Sequence, residues 1–254
     1  MSTVRSKGAG RWALAAGLAA AGCEVLDPEI TVSLAISHHG MRLMDGALPN
    51  YGEPDAARIF VNDQGWEVTL SEAVIVNTSA QIESCSGQVY DFDLPYGPLP
   101  EFQLDQDKDL IDFARVSLPK GTYCTLRVEY GRYLAAEVAM AADTPYVVKG
   151  HQDMEGLTVY LAGTAENASG DVVNWGAKTP NTIIVELDLK TIEDGKPFQI
   201  RGNEPGGKAM VVAKTYDAFF RGVDFATFDR ATFETGLLDV LKAETYVRLG
   251  TSVY

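Results

Sequence analysis

The sequence predicts a mainly β protein, an antiparallel β-sandwich with a short C-terminal helix, and three observations carry that prediction. The first is period-2 alternation. Ile30, Val32, Leu34 and Ile36 alternate with Thr31, Ser33 and Ala35, and the pattern returns in Cys124, Leu126, Val128 and Tyr130 and in Ile183, Val185, Leu187 and Leu189. Successive strand side chains point to opposite faces, so each stretch reads as a strand with one buried face. The second is punctuation: Asn62-Asp63-Gln64-Gly65, Pro119-Lys120-Gly121 and the glycine-rich residues 202–207 separate short strand candidates. The third is that helical spacing is confined to residues 228–242, where Phe233, Leu237, Leu238 and Leu241 fall near one face. Short strands at close intervals with turns between them favour a sandwich over a parallel sheet.

Taken in chain order, residues 1–22 read as a secretory signal peptide. Arg5, Lys7 and Arg11 precede an uncharged apolar run from Trp12 to Ala21, which ends in Gly22-Cys23. That run is roughly ten residues, where a membrane-spanning helix needs about twenty. Leu18-Ala19-Ala20-Ala21-Gly22-Cys23 resembles the lipobox of bacterial lipoproteins, with Ala20 where leucine is usual. The resemblance implies cleavage before Cys23 and a diacylglycerol on its thiol. Cys23 is then the lipidation site and the membrane the first partner. Glu24, rather than aspartate, follows the cysteine, which favours the outer membrane, on its periplasmic or surface side. Residues 23–29 would form a lipid-anchored tether and residues 30–254 a single domain.

Within that domain further strands are expected at 58–62, 66–70, 73–77, 157–163, 172–175, 198–200 and 208–213. Residues 91–112, with Pro95, Pro98, Pro100 and many acids, read as a long connecting loop, and 202–207 as a hairpin. The aromatic stretch 216–225 reads as a turn packed into the core. Asp229 or Thr227 stands where a helix cap belongs. Trp66 and Trp175 occupy strand positions and read as core anchors ahead of sugar platforms.

Charge narrows the function classes. The formal net charge is −14, and removal of residues 1–22, which carry three basic and no acidic residues, takes it to −17. Such a surface repels phosphate backbones and anionic headgroups, which excludes nucleic acid as an expected partner. Outside the cytoplasm the two remaining cysteines, Cys85 and Cys124, are expected to form a disulfide.

Histidine is scarce, with His38, His39 and His151 the only three. Both places it occurs read His-x-x-Met: His38-His39-Gly40-Met41 and His151-Gln152-Asp153-Met154. Imidazole with thioether suits copper, because soft sulfur favours Cu(I) and imidazole serves either oxidation state. Both segments fall at strand ends, so the two loops are candidates to converge on one site made from His38, His39, Met41, His151 and Met154. Zinc held by the histidines with Asp153, Glu155 or Asp45 is the second choice. Against both stands the plain reading of satisfied histidines and core-filling methionines.

Other constellations fail on spacing. Asp105, Asp107 and Asp109 copy the start of a calcium loop, but Leu110 stands where glycine must turn and Val116 where the bidentate acid belongs. Residues 202–207 lack the lysine-serine ending of a phosphate cradle. No Gly-x-Ser-x-Gly or His-Glu-x-x-His occurs, and the Asp91 and Asp93 pair does not by its spacing mark acid–base work. Enzyme activity is not expected.

Several stretches resemble a loose group of proteobacterial exported lipoproteins of unassigned function. They are Gly65-Trp66-Glu67-Val68-Thr69-Leu70 with the following residues 73–76, the turn Leu118-Pro119-Lys120-Gly121-Thr122-Tyr123, and residues 157–165. More distantly, the Pro119-x-Gly121-x-Tyr123 turn and the strand closing on Gly163 are similar to the periplasmic copper-binding proteins that accompany methanobactin systems. In those a tryptophan-derived group and histidines hold copper, which the resemblance would place near Trp66 or Trp175; it transfers no site residue. The expected function is thus a lipid-anchored extracytoplasmic binding protein that captures copper through its His/Met loops. The alternative is a metal-free surface module that binds a protein partner at the cell envelope, or a glycan. The sequence assigns no oligomeric state.

Overall fold

The computed structural model describes residues 29–39, 59–95, 99–102, 111–134 and 154–250, with backbone alone at His38, His39, 99–102 and Ile111. Strand β1 (Ile30–His39) buries Val32, Leu34 and Ile36 against the main core, as its alternation requires. It is flanked by β6 (Ile111–Leu118), antiparallel, and by β12 (Lys208–Thr215), which runs parallel to it. Beyond β12 lies β13 (Tyr246–Gly250), so the first sheet reads β13-β12-β1-β6. The β1–β12 pair is the one parallel pairing among the described strands.

The second sheet is built on β3 (Glu67–Ser84), which covers both of the segments expected at 66–70 and 73–77. Its order is β10 (Ile183–Asp188), β7 (Gly121–Tyr130), β3, β8 (Val159–Glu166) and β9 (Val172–Thr179). The short β11 (Phe198–Ile200) pairs with β7, while β2 (Ile59–Val61), β4 (Val89–Asp91) and β5 (Leu99–Phe102) pair with β3. Two register shifts explain why β3 reads as two strands in the sequence. Val68 and Leu70 face the core, then a bulge between Leu70 and Glu72 moves the inward phase to Ala73 and Ile75. A second shift between Asn77 and Ser79 returns it to Ala80 and Ile82. Each extra residue flips every later side chain, so strict alternation is lost although the strand continues.

Two connections differ from expectation. Residues 91–112 are not simply a loop, because β5 lies within them and β6 starts at Ile111. Pro100 hides β5, since proline is confined to strands with a free edge, and its partner here is Val76. Residues 202–207 are not a hairpin: they carry the chain from β11 in one sheet to β12 in the other. Gly202, Gly206 and Gly207 take positive φ there, and the Glu204 carboxylate accepts the N–H groups of Arg201, Gly202 and Asn203 at 2.7 to 3.1 Å. A carboxylate of the chain's own therefore fills the place an anion would take.

Beside this crossing Glu193 is nearly enclosed and accepts from Lys208 and Arg201. Burial pushes its carboxyl up, but the Lys208 ammonium, the Gln199 N–H and the Arg201 guanidinium outweigh that, and the net shift is downward. A carboxyl held low in the folded chain contributes stability that is present above its unfolded pKa and is lost as pH falls through the folded one. Glu193→Gln should therefore cost about 1 to 2 kcal/mol at neutral pH. The parent and variant urea midpoints should converge as pH falls from the ordinary glutamate range through the lowered folded pKa.

The C-terminal helix α1 (Arg230–Glu244) begins where Asp229 accepts the Ala231 N–H at 3.0 Å, so Asp229 rather than Thr227 is the cap. It buries Leu237 and Leu241 against the core. Residues of both sheets, the helix and the aromatic stretch share one continuous cluster. Cys85 and Cys124 form the expected disulfide, with Cα atoms 4.9 Å apart. Among the described residues no helix is long and apolar enough to cross a membrane.

Candidate functional site

Inward phase on the first sheet leads to a polar rim. In β12 Met210 and Val212 face the core, and the next inward position is Lys214, which is fully buried. Its Nζ lies 5.3 Å from the centre of the Tyr130 ring, within cation–π range. The parallel register sets His38 beside Lys214 and His39 beside Thr215, so β1 ends at this rim. Tyr130 closes β7, pairs with Asn77 of β3, and shares a hydrogen bond with Thr245 Oγ1 at 3.2 Å. Ser37, Asn77, Thr158, Thr179, Lys214, Thr215 and Thr245 are buried polar residues of this one end of the sandwich. The Asn77 amide is completely buried and has no hydrogen-bond partner among the described residues.

The second His-x-x-Met segment joins the same end. Tyr133, three residues after Tyr130, donates its N–H to Leu157 and accepts that of Gly156, and Val76 donates to the Thr158 carbonyl. These bonds fix the turn that starts at Met154. Met154 itself is 1% exposed and packs with Val74, Val76, Tyr133 and Leu157. Val74 and Val76 alternate with Ala73 and Ile75, so this small cluster covers the outer face of β3 while Lys214, Tyr130 and the main core lie inside. The structure thus brings the ends of the two segments to one rim and sets the Met154 thioether on the opposite face of the sheet, in an apolar pocket of its own. The side chains of His38 and His39, with Met41, Asp45, His151, Asp153 and Cys23, lie outside the described residues. Among the described residues no group of three or more His, Cys, Asp or Glu could hold a metal ion.

Sequence reasoning missed Lys214, Asn77 and Tyr130 as a group. A signal for Lys214 was present: it continues the Met210, Val212 phase that marks the buried face. Asn77 was hidden because its inward phase depends on the first bulge of β3.

Two other candidates resolve differently. Trp66 and Trp175 are both buried, within an aromatic cluster where Trp175 lies 4.8 Å from Phe220 and Trp66 5.7 Å from Phe225. The Trp66 indole N–H is satisfied by Asp224 Oδ1 at 3.1 Å. Neither ring can serve as a sugar platform. Asp91 and Asp93 line an open groove of about 400 Å³ with Thr31, Tyr90, Arg115 and Val116. They do not act as a pair: Asp91 accepts from Gln81 at 2.7 Å, while the Asp93 backbone exchanges two hydrogen bonds with Arg115 and so ties the sheets together. Arg115 pairs with Asp112 at 2.6 Å, and burial raises the Asp112 carboxyl despite that guanidinium.

No protein-family model matches the chain, and no curated protein matches it. Among solved structures the chain is similar to MbnP from Methylosinus trichosporium, with a TM-score of 0.39 and 10% sequence identity over 79% of this chain and 80% of that one. A likeness of that extent assigns no residue role here.

Proposed function

We propose that the protein is a lipid-anchored extracytoplasmic binding protein rather than an enzyme, and that it captures copper at the polar rim through His38, His39, Met41 and His151. The observation that supports this reading is topological: β1 delivers His38 and His39, and the turn at Met154 delivers the end of the second His-x-x-Met segment, to the same end of the sandwich. The Cys85–Cys124 disulfide accords with an oxidising compartment. Neutral imidazoles would hold the ion and a thioether would favour its reduced state. Met154 joins that ligand set only by leaving its apolar cluster.

Copper and zinc titrations of the mature chain test the proposal. Stoichiometric, submicromolar copper binding, abolished in both His38→Ala and His151→Ala, is the expected result; tighter zinc than copper would shift the reading to the second metal. No binding, or loss in neither variant, leaves the metal-free module. The burial of Met154 favours that second reading, and the burial of both indoles counts against its glycan form.

A further inference from the structure

Strand β9 ends the second sheet, and the alternation of its hydrogen bonds shows which backbone groups look outward. Lys178 donates its N–H away from the sheet, to Glu234 of α1 at 3.0 Å. In an antiparallel ladder, residues of the same parity share that direction. The N–H and C=O groups of Val172, Asn174 and Gly176 therefore point outward too, and they have no hydrogen-bond partner among the described residues. Natural edges are blunted by lysine, proline or a bulge. Residues 172–177, Val-Val-Asn-Trp-Gly-Ala, contain no charge and no proline, and their pairing with β8 runs without a register shift. The helix meets this edge at Lys178, while Val172 and Asn174 are exposed.

The two faces beside this edge differ in chemistry. Trp175 and Ala177 point into the core and Val173 packs partly against it. Val172 is 56% exposed on the outer face, in a row that runs Val61, Glu67, Glu166, Val172 across four strands. Glu67 and Glu166 are exposed and directly opposite each other, a like-charge pairing that disfavours the bare surface. Neither has a counter-ion among the described residues.

We propose that β9 is a strand-addition site for an extended segment of a partner protein, apolar on its inner face and basic on its outer face. Such a segment would complete the ladder at Val172, Asn174 and Gly176. Its outer side chains would stand two strands, or about 10 Å, from Glu166, within reach of a lysine lying over Val172. A second copy of this chain fits less well, because it brings another strongly acidic body to the same edge. The proposal is independent of any metal at the rim.

The probe is a fluorescein-labelled nine-residue peptide of alternating valine and lysine, titrated by anisotropy into the mature chain at moderate salt. Saturable binding is expected, weakened at least tenfold by Asn174→Pro, which removes one outward donor and leaves the β8–β9 ladder intact. Two N-methylated peptides keep the test sharp should that variant fold poorly. Residues opposite Val172 and Asn174 share their outer face, so methylation at the lysines should abolish binding and methylation at the valines should spare it. Equal loss with both peptides, or undiminished binding to a folded Asn174→Pro, would mean charge attraction alone and overturn the proposal. So would absence of binding, or a dimer that Asn174→Pro dissociates, since the edge would then belong to a second copy.

Discussion

Phe220→Ala is expected to lower the unfolding free energy by about 3 to 5 kcal/mol, in the range for deleting a large aromatic side chain from a packed core. Phe220 is fully buried and sits amid other rings, 5.6 Å from Phe60, 4.8 Å from Trp175, 6.0 Å from Phe225 and 5.3 Å from Phe233. These rings come from β2, β9, the aromatic stretch and α1, so one side chain joins two strands of the second sheet to the helix. Its backbone carbonyl also accepts from Asn62 Nδ2 at 3.2 Å, and the same amide donates to Val223 at 2.8 Å. The Asn62 oxygen in turn accepts from Gln64 and Trp66 and shapes the β2–β3 turn. Truncation therefore removes ring contacts and loosens the turn that Asn62 holds. Urea denaturation followed by tryptophan fluorescence reads the effect, because Trp66 and Trp175 report from the cluster itself. A loss under about 1 kcal/mol would mean that neighbouring rings collapse into the space and that Phe220 does not hold the cluster together.

That cluster shows how far the sequence carries. The aromatic density of residues 216–225 marked core packing, and the structure places Tyr216, Phe219, Phe220 and Phe225 there. Uninterrupted alternation gave β1 and β10 with the right faces, because a single phase runs through each, and β7 from Leu126 to Tyr130; at the start of β7 the register shifts, and Tyr123 rather than Cys124 faces the core. Legibility ended where phase changes. The two bulges of β3 turn one long strand into an apparent pair, and Pro100 disguises β5. Glycine shows the same limit: at Gly163, opposite the first bulge, an added Cβ would run into the Thr69 carbonyl, a constraint set by a strand almost a hundred residues earlier. The parallel β1–β12 pairing is likewise long-range, and local pattern does not encode which neighbour a strand takes.

The candidate site was legible in part for the same reason. Strand-end placement of His38 followed from the alternation of β1, and its arrival beside Lys214 required the β12 register. Met154 carries the opposite lesson. Its spacing from His151 matched a ligand motif, yet the face it takes is decided by Val74, Val76 and Leu157, and a flexible thioether fills such apolar gaps readily.

Loss of the Cys85–Cys124 bond should cost the fold about 4 kcal/mol, the chain-entropy value for a sequence separation of 39. The bond joins the end of β3 to β7 at the point where their ladder stops, Ser84 opposite Tyr123, and the Cys85 N–H already donates to Thr122 at 2.9 Å. The folded state therefore keeps its pairing without the bond, and the effect falls mainly on the unfolded chain, which the closed loop would otherwise hold compact. Two measurements separate that account from native-state damage. In urea the reduced chain and a Cys85→Ser, Cys124→Ser variant should both show a lower midpoint and a steeper dependence on denaturant, since a more open unfolded state exposes more surface. Amide exchange across the β3–β7 ladder should keep its order of protection at reduced overall stability. A fall in stability with unchanged denaturant dependence and selective loss of protection beside Ser84 would instead locate the bond's contribution in the folded ladder. The proposed compartment meets the same test. Material exported through an oxidising space should contain no free thiol at these positions, whereas chain held in a reducing cytosol should carry both and unfold at the lower midpoint.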